Sequence, residues 1–353
     1  MTTQKSIARE FLVQQAPLIL GTLILGFIAA YWQHGFVPDG DQPYPLAGVS
    51  VPVWHVIWMG VWTGYTMALV GEAAGIFALP YSMSVLQFTN QHVTPSTQLV
   101  TFLNPFGALL GFRRSGQWNL DFALWVCAGG VVGGLIGPFL RSTVLAAVDP
   151  FRFTLGVALA FVGINLFYKA MHGFSASARA AGTHRAPVAS NEHKTKFHIK
   201  TLSIEHGRIT IGYLDRKWTM SLWRLFVLGA LVGVISSALG VGGGFLLVPI
   251  FVAMYKLPMY VLPAATIPYV IVLSAVGLFT YSVILPMVGA TAIQPEWAWG
   301  LFAASGGIFG SWVAAKTQLY VPEHLLKLML GAVTGVVGVL YVVNVFFVLP
   351  FRV

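Results

Sequence analysis

The chain has 353 residues, of which 57% are hydrophobic and only 9% charged, against about 25% charged in soluble globular proteins. A mean hydropathy of +0.77 leaves too little polar surface to cover a water-soluble particle of this size. The net charge of +9 does not imply nucleic acid: eight of the twenty Lys and Arg residues lie between His172 and Leu222 and most others flank apolar blocks, as anchoring to an anionic leaflet requires.

The apolar residues come in long blocks without strand-like alternation. A backbone in lipid must satisfy its own polar groups, so these blocks are predicted to be helices of an all-α polytopic membrane protein. The start, with Lys5, Arg9 and Glu10, leads into a first block at 17–32; no small-residue cleavage site follows, so it reads as a retained helix rather than a signal peptide. Blocks then run at 52–70, 73–89, 96–112, 119–140 and 151–171, and, after a polar stretch at 172–221, at 222–239, 242–256, 262–285, 296–315 and 325–349. Cys127, the sole cysteine, sits in an apolar block, which excludes internal disulfides and cysteine metal sites.

Placing the N-terminus inside a bacterial inner membrane, with every block spanning, puts seventeen of the twenty basic residues on the cytoplasmic side; only Arg141, Arg152 and Arg352 fall outside. The count is then eleven spans, and a re-entrant short block would flip the parity that the charges favour. In the cytoplasmic polar stretch, 173–196 reads as a linker, while Phe197–Trp218 alternates apolar and polar residues about a turn near His206 and Gly207 and is predicted to form a small β-hairpin.

The blocks repeat. Residues 71–98 and 240–267 align at an offset of 169: Gly71 with Gly240, Gly75 with Gly244, Pro80 with Pro249, Thr97 with Thr266. Further on, Gly129, Gly130 and Gly133 meet Gly306, Gly307 and Gly310, and Gly156 and Gly163 meet Gly331 and Gly338. Five blocks per copy make the second cross the membrane in the opposite sense. Two inverted repeats are a common transporter architecture, with the substrate near the midplane where broken segments meet. The organisation is thus an N-terminal helix and loop (1–51), a first membrane repeat (52–171), the cytoplasmic insertion (172–221) and a second repeat (222–353).

The run ALGVGGGFLLVP at 238–249 with LPAAT at 262–266, and a weaker first copy, resemble the TauE/SafE family, the sulfite exporter family. The first copy departs from the pattern, with Glu72-Ala73-Ala74-Gly75 where glycines are expected. The resemblance implies export of sulfite, of an organosulfonate such as sulfoacetate, or of a related sulfur-containing anion. An importer or channel for another small anion such as thiosulfate, or a scaffold or sensor acting through the hairpin, are the competing readings.

Physically, Gly240, Gly242, Gly243 and Gly244 let the backbone break helical geometry, and the helix that follows offers free N–H groups to an anion. Close helix packing through small residues is the alternative. Gly75 marks the matching place in the first half. Thr97 and Thr266, after Pro95 and Pro263, carry hydroxyls that either cap a helix or donate to an oxyanion; Gln98 and Asn104 add neutral polar groups on one helix, and Tyr269 and Ser274 on the other. Neutral donors suit an anion that must be released, so Arg113 and Arg114 read as topology anchors. Glu72 is the candidate for proton coupling, and Asp121 and Glu296 read as residues favouring helix N-termini. His55 and His92 read as isolated hydrogen-bonded residues. No His-Glu-x-x-His helix, nucleophile elbow or paired intramembrane carboxylates are present, so neither an enzyme, a cofactor nor a metal is expected. The expected partners are the anion, the bilayer and a second copy of the chain.

Overall fold

The computed structural model describes residues 11–69, 74–114, 116–180, 198–213, 216–258, 261–290, 292–317 and 323–346. A π-helical turn, Phe11–Gln15, leads into α1 (Ala16–His34), which Gly35 ends in the left-handed region by returning its N–H to Tyr31 O. Next come α2 (Val53–Ala68) and the short α3 (Gly75–Pro80), which loosens into a π turn at Tyr81–Val85. The block expected at 96–112 is two helices, α4 (Val93–Leu103) and α5 (Pro105–Arg114), parted at Asn104 because Pro105 has no N–H to continue the ladder. In α6 (Leu120–Ser142) the Asn119 side chain accepts the Phe122 N–H, and Asp121 occupies the first turn.

Two expectations for the polar stretch are corrected. Helix α7 (Val148–Ala180) runs on past residue 171, so the first part of the expected linker is helical; its Ala and Arg residues are strong helix formers. The expected hairpin is a three-stranded antiparallel sheet: β1 (Lys200–Glu205), β2 (Arg208–Tyr213) and β3 (Arg216–Ser221), in that order. The third strand leaves β2 paired on both edges and buries Ile209, Ile211 and Met220 together. A lone two-stranded ribbon is marginal in water, and the third strand relieves that. The sheet docks through Ile199 N–H on Gly116 O and Asn119 Nδ2 on Thr201 Oγ1, and Ser221 passes directly into α8 (Leu222–Leu239).

The second half continues with α9 (Gly244–Tyr255), then α10 (Pro263–Phe279), which runs on through a π turn (Thr280–Ile284) to Met287, then α11 (Trp297–Thr317) and α12 (Glu323–Phe346). Five continuous stretches among the described residues are long and apolar enough to cross a membrane: Phe11–His34, Leu120–Ser142, Leu222–Leu239, Pro263–Met287 and Trp297–Thr317. The protein is a multi-pass membrane protein.

Helix partnering is reciprocal between the halves. The first half's α6 lies along α8, and the second half's α11 lies along α2; α7 lies along α12. Small residues permit the approach. A Cβ on Gly133 would sit 2.5 Å from Gly233 Cα, while Gly306 and Gly310 face the backbone of Ile57, Val61 and Tyr65. Gly130 abuts the Tyr269 ring of α10, and its aligned partner Gly307 abuts Asn104 after α4. Repeated glycines therefore occupy matching contacts.

Helix α1 is clasped to the second half. His34 Nε2 meets Glu296 Oε1 at 2.7 Å, the Leu46 N–H donates to Glu296 Oε2, and Trp297 N–H donates to Gln33 Oε1. Glu296 does precede α11, yet its carboxylate serves this clasp rather than the N–H groups of its own helix. Beside it, burial first and the Glu296 charge second push the Tyr44 phenol above its usual range.

Candidate functional site

The second half's break is built by glycines in the left-handed region. Gly240 (φ +74°) closes α8 by donating its N–H to Ser236 O, and Val241 N–H donates to the same carbonyl. Gly242 (φ +81°) and Gly243 (φ +77°) then turn the chain into α9. Any other L-residue at these two positions costs about 1–2 kcal/mol. Gly244 N–H folds back to Gly242 O, and Leu246 and Leu247 N–H share Gly243 O. That leaves the N–H groups of Gly242, Gly243 and Phe245 without a backbone partner among the described residues. Orphan donors at the head of a helix favour negative charge.

Residues of both halves enclose the break. A Cβ on Gly240 would stand 2.5 Å from Thr94 O and 2.9 Å from Thr97 Oγ1. One on Gly75, at the head of α3, would stand 2.8 Å from Val241 Cα. The Tyr269 ring lies against Gly243, with its hydroxyl donating to Gly229 O at 2.8 Å. Gln98 Nε2 donates to Ser237 Oγ at 3.2 Å, and Thr101 and Ser274 share a hydrogen bond of 2.9 Å. All of these side chains are buried, and Ser236 Oγ and Gln98 Oε1 have no partner among the described residues. Buried polar atoms left without partners call for a reason beyond packing, and here two of them lie beside the orphan N–H groups of the break.

Of the residues singled out from sequence, Gly75, Thr97, Gln98, Gly242, Gly243, Gly244 and Tyr269 therefore converge. Asn104 belongs to a different contact, donating from Nδ2 to Ser311 Oγ at 3.3 Å against α11. Neither threonine caps a helix: α4 begins at Val93 and α10 at Pro263, so Thr97 donates one turn back to Val93 O and Thr266 to Leu262 O. Glu72 and Gly71 lie outside the described residues. His55 bonds Tyr81 Oη and His92 bonds Gln294 O, and Arg113 is exposed. No cluster of three or more His, Cys, Asp or Glu side chains forms among the described residues.

Sequence reasoning passed over Ser236, Ser237, Thr94 and Arg141. The two serines stood immediately before the glycine run. Arg141 had announced itself as an exception to the charge bias: it is buried at the end of α6, donating from Nε to Thr94 Oγ1 at 2.9 Å.

Among known proteins, the chain is similar to two from Xylella fastidiosa, each named a probable membrane transporter protein. That of strain Temecula1 is 24% identical over 284 residues, covering 78% of this chain and 89% of the relative. That of strain 9a5c is 23% identical over 282 residues, with the same coverage. No solved structure matches. A model of the sulfite exporter TauE/SafE family matches residues 56–341, from α2 through the break to the last turns of α12, and the chain belongs to that family.

Proposed function

We infer that the protein is a secondary transporter that moves a small sulfur-containing anion, sulfite or an organosulfonate such as sulfoacetate, out of the cytoplasm across the bacterial inner membrane. The observation that carries this reading is the glycine break at Gly240–Gly244, where N–H groups without a backbone partner among the described residues head α9 beside Thr97, Gln98 and Gly75 of the other half. The reciprocal partnering of α6 with α8 and of α2 with α11 supports two inverted copies related by a pseudo-two-fold axis. In that arrangement one half rocks against the other around a shared site. Neutral hydroxyl, amide and backbone donors hold an oxyanion without the full field of a fixed charge, which permits release on the far side. Export, rather than import of an anion such as thiosulfate, rests on family membership.

The test is flux by purified protein in liposomes, with sulfite, sulfoacetate, thiosulfate and sulfate offered with and without a pH gradient. Saturable movement of a sulfur oxyanion is expected, and dependence on the gradient would bring Glu72 forward as the coupling group. If none of the four moves, the anion reading falls.

A further inference from the structure

Two charged side chains are fully buried among the described residues, Glu296 and Arg141. Glu296 has His34 as its partner. Arg141 has no carboxylate within ion-pair distance among the described residues. Its Nη1 donates to Leu145 O and Ala146 O, the Phe151 ring lies 4.1 Å from its guanidinium carbon, and its Nε donates to Thr94 Oγ1. All of these are neutral groups. A buried cation held only by neutral groups is costly to desolvate, which marks it as a residue kept for more than packing.

Thr94 is the link to the break. Its Oγ1 accepts from Arg141, its own hydroxyl hydrogen has no acceptor among the described residues, and its methyl group lies 2.9 Å from the Cβ position of Gly240. The neighbouring Thr97 hydroxyl, by contrast, already donates to Val93 O and Thr94 O. A hydroxyl that accepts from a guanidinium is polarised into a stronger donor. Across the break, Ser236 Oγ is also buried without a partner among the described residues.

The geometry points to Thr94 as a donor to the transported anion and to Arg141 as the positioning residue behind it, which orients that hydroxyl and supplies the compensating charge. This rests on the anion reading above and assigns the site its positive wall. Arg141's field is shared with two carbonyls, an aromatic face and the C-terminal end of α6. The anion meets it through one hydroxyl, so release stays possible.

The experiment measures sulfite flux against concentration in liposomes for the wild-type protein, Thr94→Val and Thr94→Ser, with insertion checked for each. Valine keeps the shape and removes the donor. It is expected to raise the half-saturation concentration about ten-fold or more, the worth of a hydrogen bond to a charged group, while serine stays near wild type. Arg141→Gln shifts half-saturation the same way, and adding it to Thr94→Val gives less than the product of the two changes. A wild-type half-saturation in Thr94→Val, or full additivity in the double variant, overturns the inference and leaves the transporter reading standing. Absence of any sulfur-oxyanion flux in the wild-type protein overturns both.

Discussion

The two segments that align in sequence, Gly75 with Gly244 and Pro80 with Pro249, differ in structure. In the second half three glycines with φ between +74° and +81° reverse the chain, Pro249 is accommodated inside a regular twelve-residue helix, and unsatisfied polar atoms gather alongside. In the first half Ala74, the residue before α3, is right-handed, and α3 lasts only six residues before Pro80, which lacks the N–H, gives way to a π turn. That segment is braced by side chains: Tyr81 meets His55 at 2.9 Å, while Tyr341 bonds Ser84 Oγ at 2.6 Å and Pro80 O at 3.3 Å. The second segment keeps the left-handed glycines, and the first packs against it at Gly75 and is held from α12 by Tyr341. The two segments are asymmetric in sequence as well, with Gly71 and Gly75 in the first against Gly240, Gly242, Gly243 and Gly244 in the second.

The largest effect that breaks the comparison is at Gly243. Its left-handed φ disfavours any side chain, and even a Cβ would stand 2.7 Å from the Tyr269 ring and 2.9 Å from Leu273. Gly243→Leu is expected to abolish saturable sulfite flux while the protein still inserts, measured in liposomes beside a membrane-fraction immunoblot. Wild-type flux in the inserted variant would place the site elsewhere.

Gln98 comes next. Its amide reaches across from α4 to Ser237 in the last turn of α8 and keeps one polar atom unpaired. Gln98→Glu preserves shape and sets a carboxylate beside the anion, so flux at subsaturating sulfite is expected to fall at least about ten-fold, the cost of burying like charges together. Unchanged flux would remove α4 from the site and leave the second break acting alone.

The break was readable from sequence because glycines crowded at 240, 242, 243 and 244 weaken any helix that tries to pass through them, while the long apolar run beyond restarts one. The helix blocks were readable from composition in the same way, and α8 begins and ends where the sequence put it. Other features depended on tertiary contact. The division of α4 from α5 turns on one proline in an apolar run, and β3 looked like the far end of a longer strand because no glycine or proline separates Tyr213 from Arg216. Thr94 resembled any helix-start threonine until Arg141, forty-seven residues away, was seen to reach it. Asn104 stands apart from the others: its Nδ2 reaches Ser311 on α11, while its Oδ1 has no partner among the described residues.

The smallest effect sharpens the comparison by testing the brace. Tyr341 is fully buried in α12, and its hydroxyl is the bridge from that helix to Pro80 and Ser84. Tyr341→Phe keeps the ring and removes the bridge, which is expected to lower stability by about 1–2 kcal/mol and to appear as a lower thermal midpoint in detergent. Half-saturation for sulfite is expected to stay at the wild-type value, because the loosened segment supports the site without presenting donors to it. A changed half-saturation with an unchanged midpoint would reverse the assignment. The first break would then bind the anion directly, and the two halves would have kept the same use after all.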